Sequence, residues 1–143
     1  KDIVKALVEK TVKSYEPESQ KEITLHTLSL NWEDDKNFIE TLYQMSTNLK
    51  PHHKELISSN TRNWEVDRLP LTDRIILEMA IAELLSFPNI PVKVTINEYI
   101  ELAKTYSTPK SRNFINGILD VIAKELVESG EIKKSGRGLI DNK

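Results

Sequence analysis

The segment "LTDRIILEMAIAELLSF", residues 71–87, decides the fold. At about 3.6 residues per turn, Ile75, Ile76, Met79, Ala80, Ala82, Leu84 and Leu85 wrap most of a helix's circumference. A helix on a protein surface keeps one polar side, whereas one this apolar has to be covered by neighbours on several sides. The pattern predicts a central helix, capped by Thr72 and stopped before the "PNIP" of residues 88–91.

The flanking segments supply the cover. Downstream, Thr95 and Glu98 stand at capping-box spacing and predict a helix with Tyr99, Ile100, Ala103 and Tyr106 inward. Thr108 followed by Pro109 starts a last helix whose stripe is Phe114, Ile115, Ile118, Leu119, Ile122 and Leu126, and Ser129–Gly130 ends it. Upstream, Asn31 caps a helix with Glu33, Asp34 and Asp35 in its first turn and Phe38, Ile39, Leu42, Met45 and Leu49 on its buried face. Pro51 opens a shorter helix carrying Leu56 and Ile57, and Trp64 and Val66 fall in a connecting turn. Val4, Leu7, Val8, Val12 and Tyr15 form the stripe of a first helix, followed by the polar break "EPESQ" at 16–20. The segment at 22–30, with Ile23, Leu25 and Leu28, reads as helical or irregular. The expected architecture is an all-α bundle of six or seven helices, one domain over residues 1–130, with a polar, mobile tail over 131–143.

Composition narrows the function classes. A chain of 143 residues is long enough for one domain with a real core. With no cysteine there is no disulfide scaffold, no thiolate zinc site and no thiol nucleophile. No apolar run approaches the roughly 20 residues that span a bilayer, and no signal-peptide pattern opens the chain, so the expectation is a cytoplasmic protein without membrane contact. Its first residue is Lys1, as in a piece excised from a longer chain. The net charge of −2 is unevenly spread: residues 1–87 hold 11 basic and 15 acidic side chains, residues 88–143 hold 9 and 7. That asymmetry is compatible with a local basic patch.

Catalytic patterns are missing. There is no phosphate-cradling glycine loop, nucleophile elbow or dinucleotide fingerprint, and no acid, base or nucleophile cluster. Adjacent His52 and His53 project about 100° apart on a helix, which predicts solvated rings rather than one metal chelate. No catalytic residue, metal site or cofactor is expected, and the chain reads as a non-enzyme.

One turn does carry binding chemistry. Lys104, Lys110 and Arg112 gather around Tyr106 and Phe114 in "AKTYSTPKSRNFINGILD", residues 103–120. The start of a helix at 109–111 exposes backbone N–H groups that, with Lys110, would hold a phosphate. An aromatic beside them can stack a base, as in single-stranded RNA recognition. The alternative is equally physical: Tyr106 and Phe114 occupy core positions, and three cations on a turn are solvated. Asn116 and Gly117 interrupt good helix formers, and a close helix crossing at Gly117 with a buried Asn116 amide would explain both.

Residues 72–120 resemble the NusB family of transcription antitermination factors. The resemblance rests on linked pieces: Arg74-Ile-Ile-Leu77 with Glu83-Leu84, Ile90-Pro91 before Ile96-Asn97-Glu98, Glu101-Leu-Ala-Lys104, and Ser111 three residues before Phe114-Ile-Asn-Gly-Ile-Leu-Asp120. It implies a NusB-like fold of two packed helical subdomains. It also implies binding of boxA-type single-stranded RNA together with a small-subunit ribosomal protein (NusE), joining an RNA polymerase antitermination complex on ribosomal RNA operons. The family's RNA surface maps to Lys110, Ser111 and Phe114, beside the Lys104 and Arg112 reached above. Its ribosomal-protein interface maps to Asp73 and Arg74. One departure stands out: the family's first helix is arginine-rich, whereas "KDIVKALVEKTVKSY" has no arginine, and each phosphate left without a cation weakens RNA binding. Two other readings follow from the same likeness, a protein-interaction module with little RNA binding and the helical domain of a ribosomal RNA methyltransferase.

Overall fold

The computed structural model describes residues 2–15, 17, 25–61 and 69–142. The expected turn at Trp64 and Val66, and Ile23, lie outside these. The described residues are helical, with six α-helices, one 3-10 helix and no strand among them. No helix among them is long and apolar enough to cross a membrane. The chain divides into two compact units, Lys1–Phe38 and Ile39–Lys143.

In the first unit, α1 spans Asp2–Lys13. Val4, Leu7, Val8 and Val12 do share a side, lining an apolar groove with Leu25, His26 and Leu28. The Thr11 hydroxyl accepts the His26 N–H at 3.4 Å. No residue of α1 is buried. Helix α2 (Trp32–Thr47) begins as the sequence predicts. Asn31 Oδ1 accepts the Asp34 N–H at 3.4 Å, and three acidic residues face the positive end of the helix.

The second unit holds the core. Helices α3 (Pro51–Thr61), α4 (Leu71–Ser86), α5 (Val92–Tyr106) and α6 (Pro109–Glu128) pack together, with α4, α5 and α6 in mutual contact and α3 against α4 and α6. Leu77, Ala80, Ile81, Ala82 and Leu84 of α4 are buried around its girth, which is why that helix lacks a polar side. Of these, Leu77, Ala80, Ile81 and Leu84 meet Tyr99 and Ala103 of α5 and Ile115, Leu119, Ile122 and Leu126 of α6 in one cluster. Each large aliphatic side chain so buried stabilises the fold by about 1.5–3 kcal/mol. One polar pair lies inside. The Tyr99 hydroxyl donates to Glu83 Oε2 at 3.0 Å, and burial together with the Glu83 charge raises the phenol's pKa. On the α2 side, only Leu49 of the expected face is buried; Ile39 and Met45 are exposed.

Two helix starts differ from their expected caps. Helix α4 begins at Leu71 after Pro70, and α5 at Val92 after Pro91, neither with a side-chain cap. Thr95 is therefore inside α5, fully buried. Each proline holds extended backbone with ψ near 140°, so the next residue is the first that can turn.

The described part of the tail, expected to be polar and mobile, makes specific contacts. Gly130, at φ 76°, ends α6 in a Schellman arrangement: its N–H reaches Val127 O at 3.0 Å and that of Glu131 reaches Leu126 O at 3.0 Å. Ile132 is buried in the core cluster. Lys134 Nζ donates to Leu84 O and Phe87 O, both at 3.1 Å, placing a cation on the carbonyl end of α4. A 3-10 helix, Gly136–Asn142, follows against α5, where a Cβ on Gly138 would overlap the Pro88 carbonyl oxygen.

Candidate nucleic-acid interface

The junction of α5 and α6 is built on an internal support. Ser107 leaves α5 in extended geometry, and its hydroxyl donates to Asp73 Oδ1 in the first turn of α4. Asp73 is 1% exposed, so this carboxylate is an inner brace. A negative charge at the start of α4 is favourably placed against the helix dipole. Thr108 then caps α6: its Oγ1 accepts the Ser111 N–H at 3.2 Å and lies 2.8 Å from the Ser111 hydroxyl. Pro109 fits the first helical position.

This geometry sorts the amides expected to face a ligand. Pro109 has no N–H, and that of Ser111 is taken by the cap. The Lys110 N–H has no acceptor among the described residues. The cations are unequal too. Lys104 is exposed but paired with Glu101 on its own helix. Lys110 and Arg112 are exposed, and neither has an ion pair among the described residues. Ser111 is buried beneath them. Of the two aromatic residues, Phe114 is 7% exposed and packs in the core, whereas Tyr106, expected inward, is 68% exposed at the end of α5. The ring face available to a base at this junction is that of Tyr106.

Asn116 and Gly117 both face solvent, and a Cβ on Gly117 would have nothing within 4 Å. Neither the buried amide nor the close helix crossing exists. Instead, the outer side of α6 runs Lys110, Asn113, Gly117, with bare backbone at the glycine. Arg74 on α4 is exposed, its Nε donating to Glu78 Oε1 at 2.9 Å, and it lines a groove with Lys54, Ser58 and Leu69.

A second constellation was invisible in the sequence. His52 and His53 do not diverge into solvent: their ring centroids lie 3.8 Å apart, tilted by 50°. Both Nε2 atoms meet the same oxygen, Glu131 Oε2, at 3.2 and 2.8 Å. Hydrogen bonding to His53, and then to His52, lowers the Glu131 pKa from its ordinary value. Helical spacing could not reveal this because Glu131 lies 78 residues beyond His53.

Comparison with known proteins agrees with this architecture. A profile of the NusB family matches residues 2–124. The transcription antitermination protein NusB of Salinibacter ruber is 42% identical over 105 residues, covering 73% of this chain and 66% of that protein. The protein of the same name from Chloroherpeton thalassium is 48% identical over 85 residues, 59% of this chain and 40% of its own length. That from Natranaerobius thermophilus is 44% identical over 89 residues, 62% and 64% respectively. This chain therefore spans less than two thirds of each of these relatives. The solved structure of NusB from T. maritima superimposes with a TM-score of 0.54 at 39% identity, covering 69% of this chain and 67% of that one. With the family profile extending over most of the sequence and an all-helical fold shared with that structure, the chain belongs to the NusB family.

Proposed function

We propose that this chain acts in transcription antitermination, binding boxA-type single-stranded RNA together with a small-subunit ribosomal protein (NusE) within an RNA polymerase antitermination complex, in support of ribosomal RNA transcription. The relatives' shared name supports the process. The observation that carries the RNA assignment is the pair Lys110 and Arg112, exposed and without ion pairs among the described residues at the amino end of a 20-residue helix. Lys110 and Arg112, two positions apart and so about 200° apart around the helix, would each meet a separate phosphate, the one at Lys110 also meeting its N–H and the positive end of α6. Tyr106 offers a ring for a base, and Lys104 adds a cation shared with Glu101. Ser111 and Phe114 hold the helix start from beneath, as does Asp73 from α4; Arg74 is the exposed member of the pair assigned to the ribosomal-protein contact. The role is binding, not catalysis.

The test is a fluorescence titration of boxA RNA, with and without the ribosomal protein, across a range of salt. Replacing both Lys110 and Arg112 by alanine is expected to weaken binding about tenfold or more at low salt. It should also flatten the slope of log affinity against log salt by about 1.4, since each single-strand phosphate no longer neutralised removes about 0.7. Unchanged affinity and slope would refute the RNA assignment. A second reading, a protein-interaction module, draws on the absence of arginine in α1. It is favoured if the unmodified chain binds the ribosomal protein but no RNA at low salt.

A further inference from the structure

We propose that His52, His53 and Glu131 form a binding site for one divalent transition-metal ion of the zinc class, clipping the start of α3 to the turn that ends α6. The three donor atoms lie within 4.8 Å of one another. Around a tetrahedral ion with bonds of about 2.0–2.2 Å, ligand atoms stand roughly 3.3 Å apart. The observed Nε2 to Oε2 separations of 2.8 and 3.2 Å need to open by about half an ångström or less, and donor atoms standing up to 4.8 Å apart must close by up to about 1.5 Å. Nor do the two rings obstruct each other. They sit in the first turn of α3, directly after Pro51, where no earlier helical turn crowds them, and both Nε2 atoms reach the same Glu131 oxygen.

The surroundings are those of a built site. Glu131 is held by its backbone, through the N–H bonded to Leu126 O. Its other carboxylate oxygen, Oε1, accepts the Ser129 hydroxyl at 3.4 Å, the kind of outer contact that orients a metal ligand. The His53 side chain is 6% exposed and lines a pocket with Leu49, Lys50 and Leu85, whereas that of His52 is 53% exposed. An ion would be walled on one side and open to a water ligand on the other. The donor set selects the metal. Two imidazoles and one carboxylate suit zinc, nickel or copper, whereas magnesium and calcium prefer all-oxygen shells. When Nε2 ligates, each ring keeps its proton on Nδ1, and the hydrogen bonds to Oε2 give way to metal bonds.

The proposal is independent of RNA binding and is tested on the full chain without a histidine tag. Calorimetric titration with zinc chloride is expected to show one ion per chain, and saturating zinc to raise Tm by about 5 °C or more. Cobalt(II) should give the intense visible absorption of a four-coordinate site, and magnesium should shift nothing. His52→Gln, at the half-exposed ligand, is expected to leave the metal-free Tm nearly unchanged and to weaken zinc binding about tenfold or more. Glu131→Gln, which also disturbs the carboxylate that both imidazoles meet, is expected to lower the metal-free Tm and to abolish the Tm response to zinc. Affinity no better than about 1 mM, or zinc binding unaltered by His52→Gln, would overturn the site. That second result would assign the ion to scattered surface groups such as His26.

Discussion

The two ends of α6 are finished in opposite ways. At the amino end, Thr108 and Asp73 secure the turn from inside, and the groups left over, Lys110 and Arg112, project outward with no ion pair among the described residues. At the carboxyl end nearly every polar group is used internally. Gly130 closes the helix, Glu131 takes two imidazoles, and Lys134 covers two carbonyls of α4. The first end is braced below and open above, as a surface for an incoming anion must be. The second is a fastening between elements distant in the chain. One helix thus combines an open cationic end, the proposed RNA contact, with a holding end.

Three substitutions probe that division. The largest effect is expected from Asp73→Ala, which removes a buried carboxylate and leaves the Ser107 hydroxyl without its acceptor. A loss of about 2–3 kcal/mol in urea unfolding is expected. Amide hydrogen exchange should accelerate at Ser107 and Ser111 and stay slow at Glu131 and Ile132. Equal acceleration at both ends would break the comparison. Gly130→Ala comes next, because a Cβ at φ 76° costs about 1–2 kcal/mol. Here the exchange pattern should reverse, with RNA affinity retained. The smallest effect is a gain. Gly117→Ala meets open space in an exposed helix interior and should raise stability by about 0.5–1 kcal/mol. A simultaneous drop in RNA affinity would extend the binding surface along the outer side of α6, and unaltered affinity would confine it to the junction.

The features readable from the sequence were those fixed locally. Asn31, Pro51, Thr108–Pro109 and Ser129–Gly130 mark helix ends through their own backbone and side-chain chemistry, and all four stand where that chemistry predicts. The α6 stripe follows from period alone. Thr72 and Thr95 misled because Pro70 and Pro91 had already set the helix starts. Tyr106 has inward spacing relative to Tyr99 and Ala103, but α5 ends there and nothing covers the ring. Asn116 and Gly117 sit between Ile115 and Ile118 in the sequence yet on the far side of the helix, a consequence of about 100° per residue. At the junction, Lys110 and Arg112 were legible as cations and Phe114 as a member of the α6 stripe, but not the burial of Ser111, which depends on neighbouring helices. The histidine pair and Lys134 belong to bonds closed across 47–79 residues, which no local pattern encodes.

The Lys134 ammonium has a consequence for biosynthesis. Chains emerge amino end first, so the Leu84 and Phe87 carbonyls wait about fifty residues for the cation that will cover them. Docking of residues 132–138 is then the event that brings the Lys134 ammonium to those carbonyls.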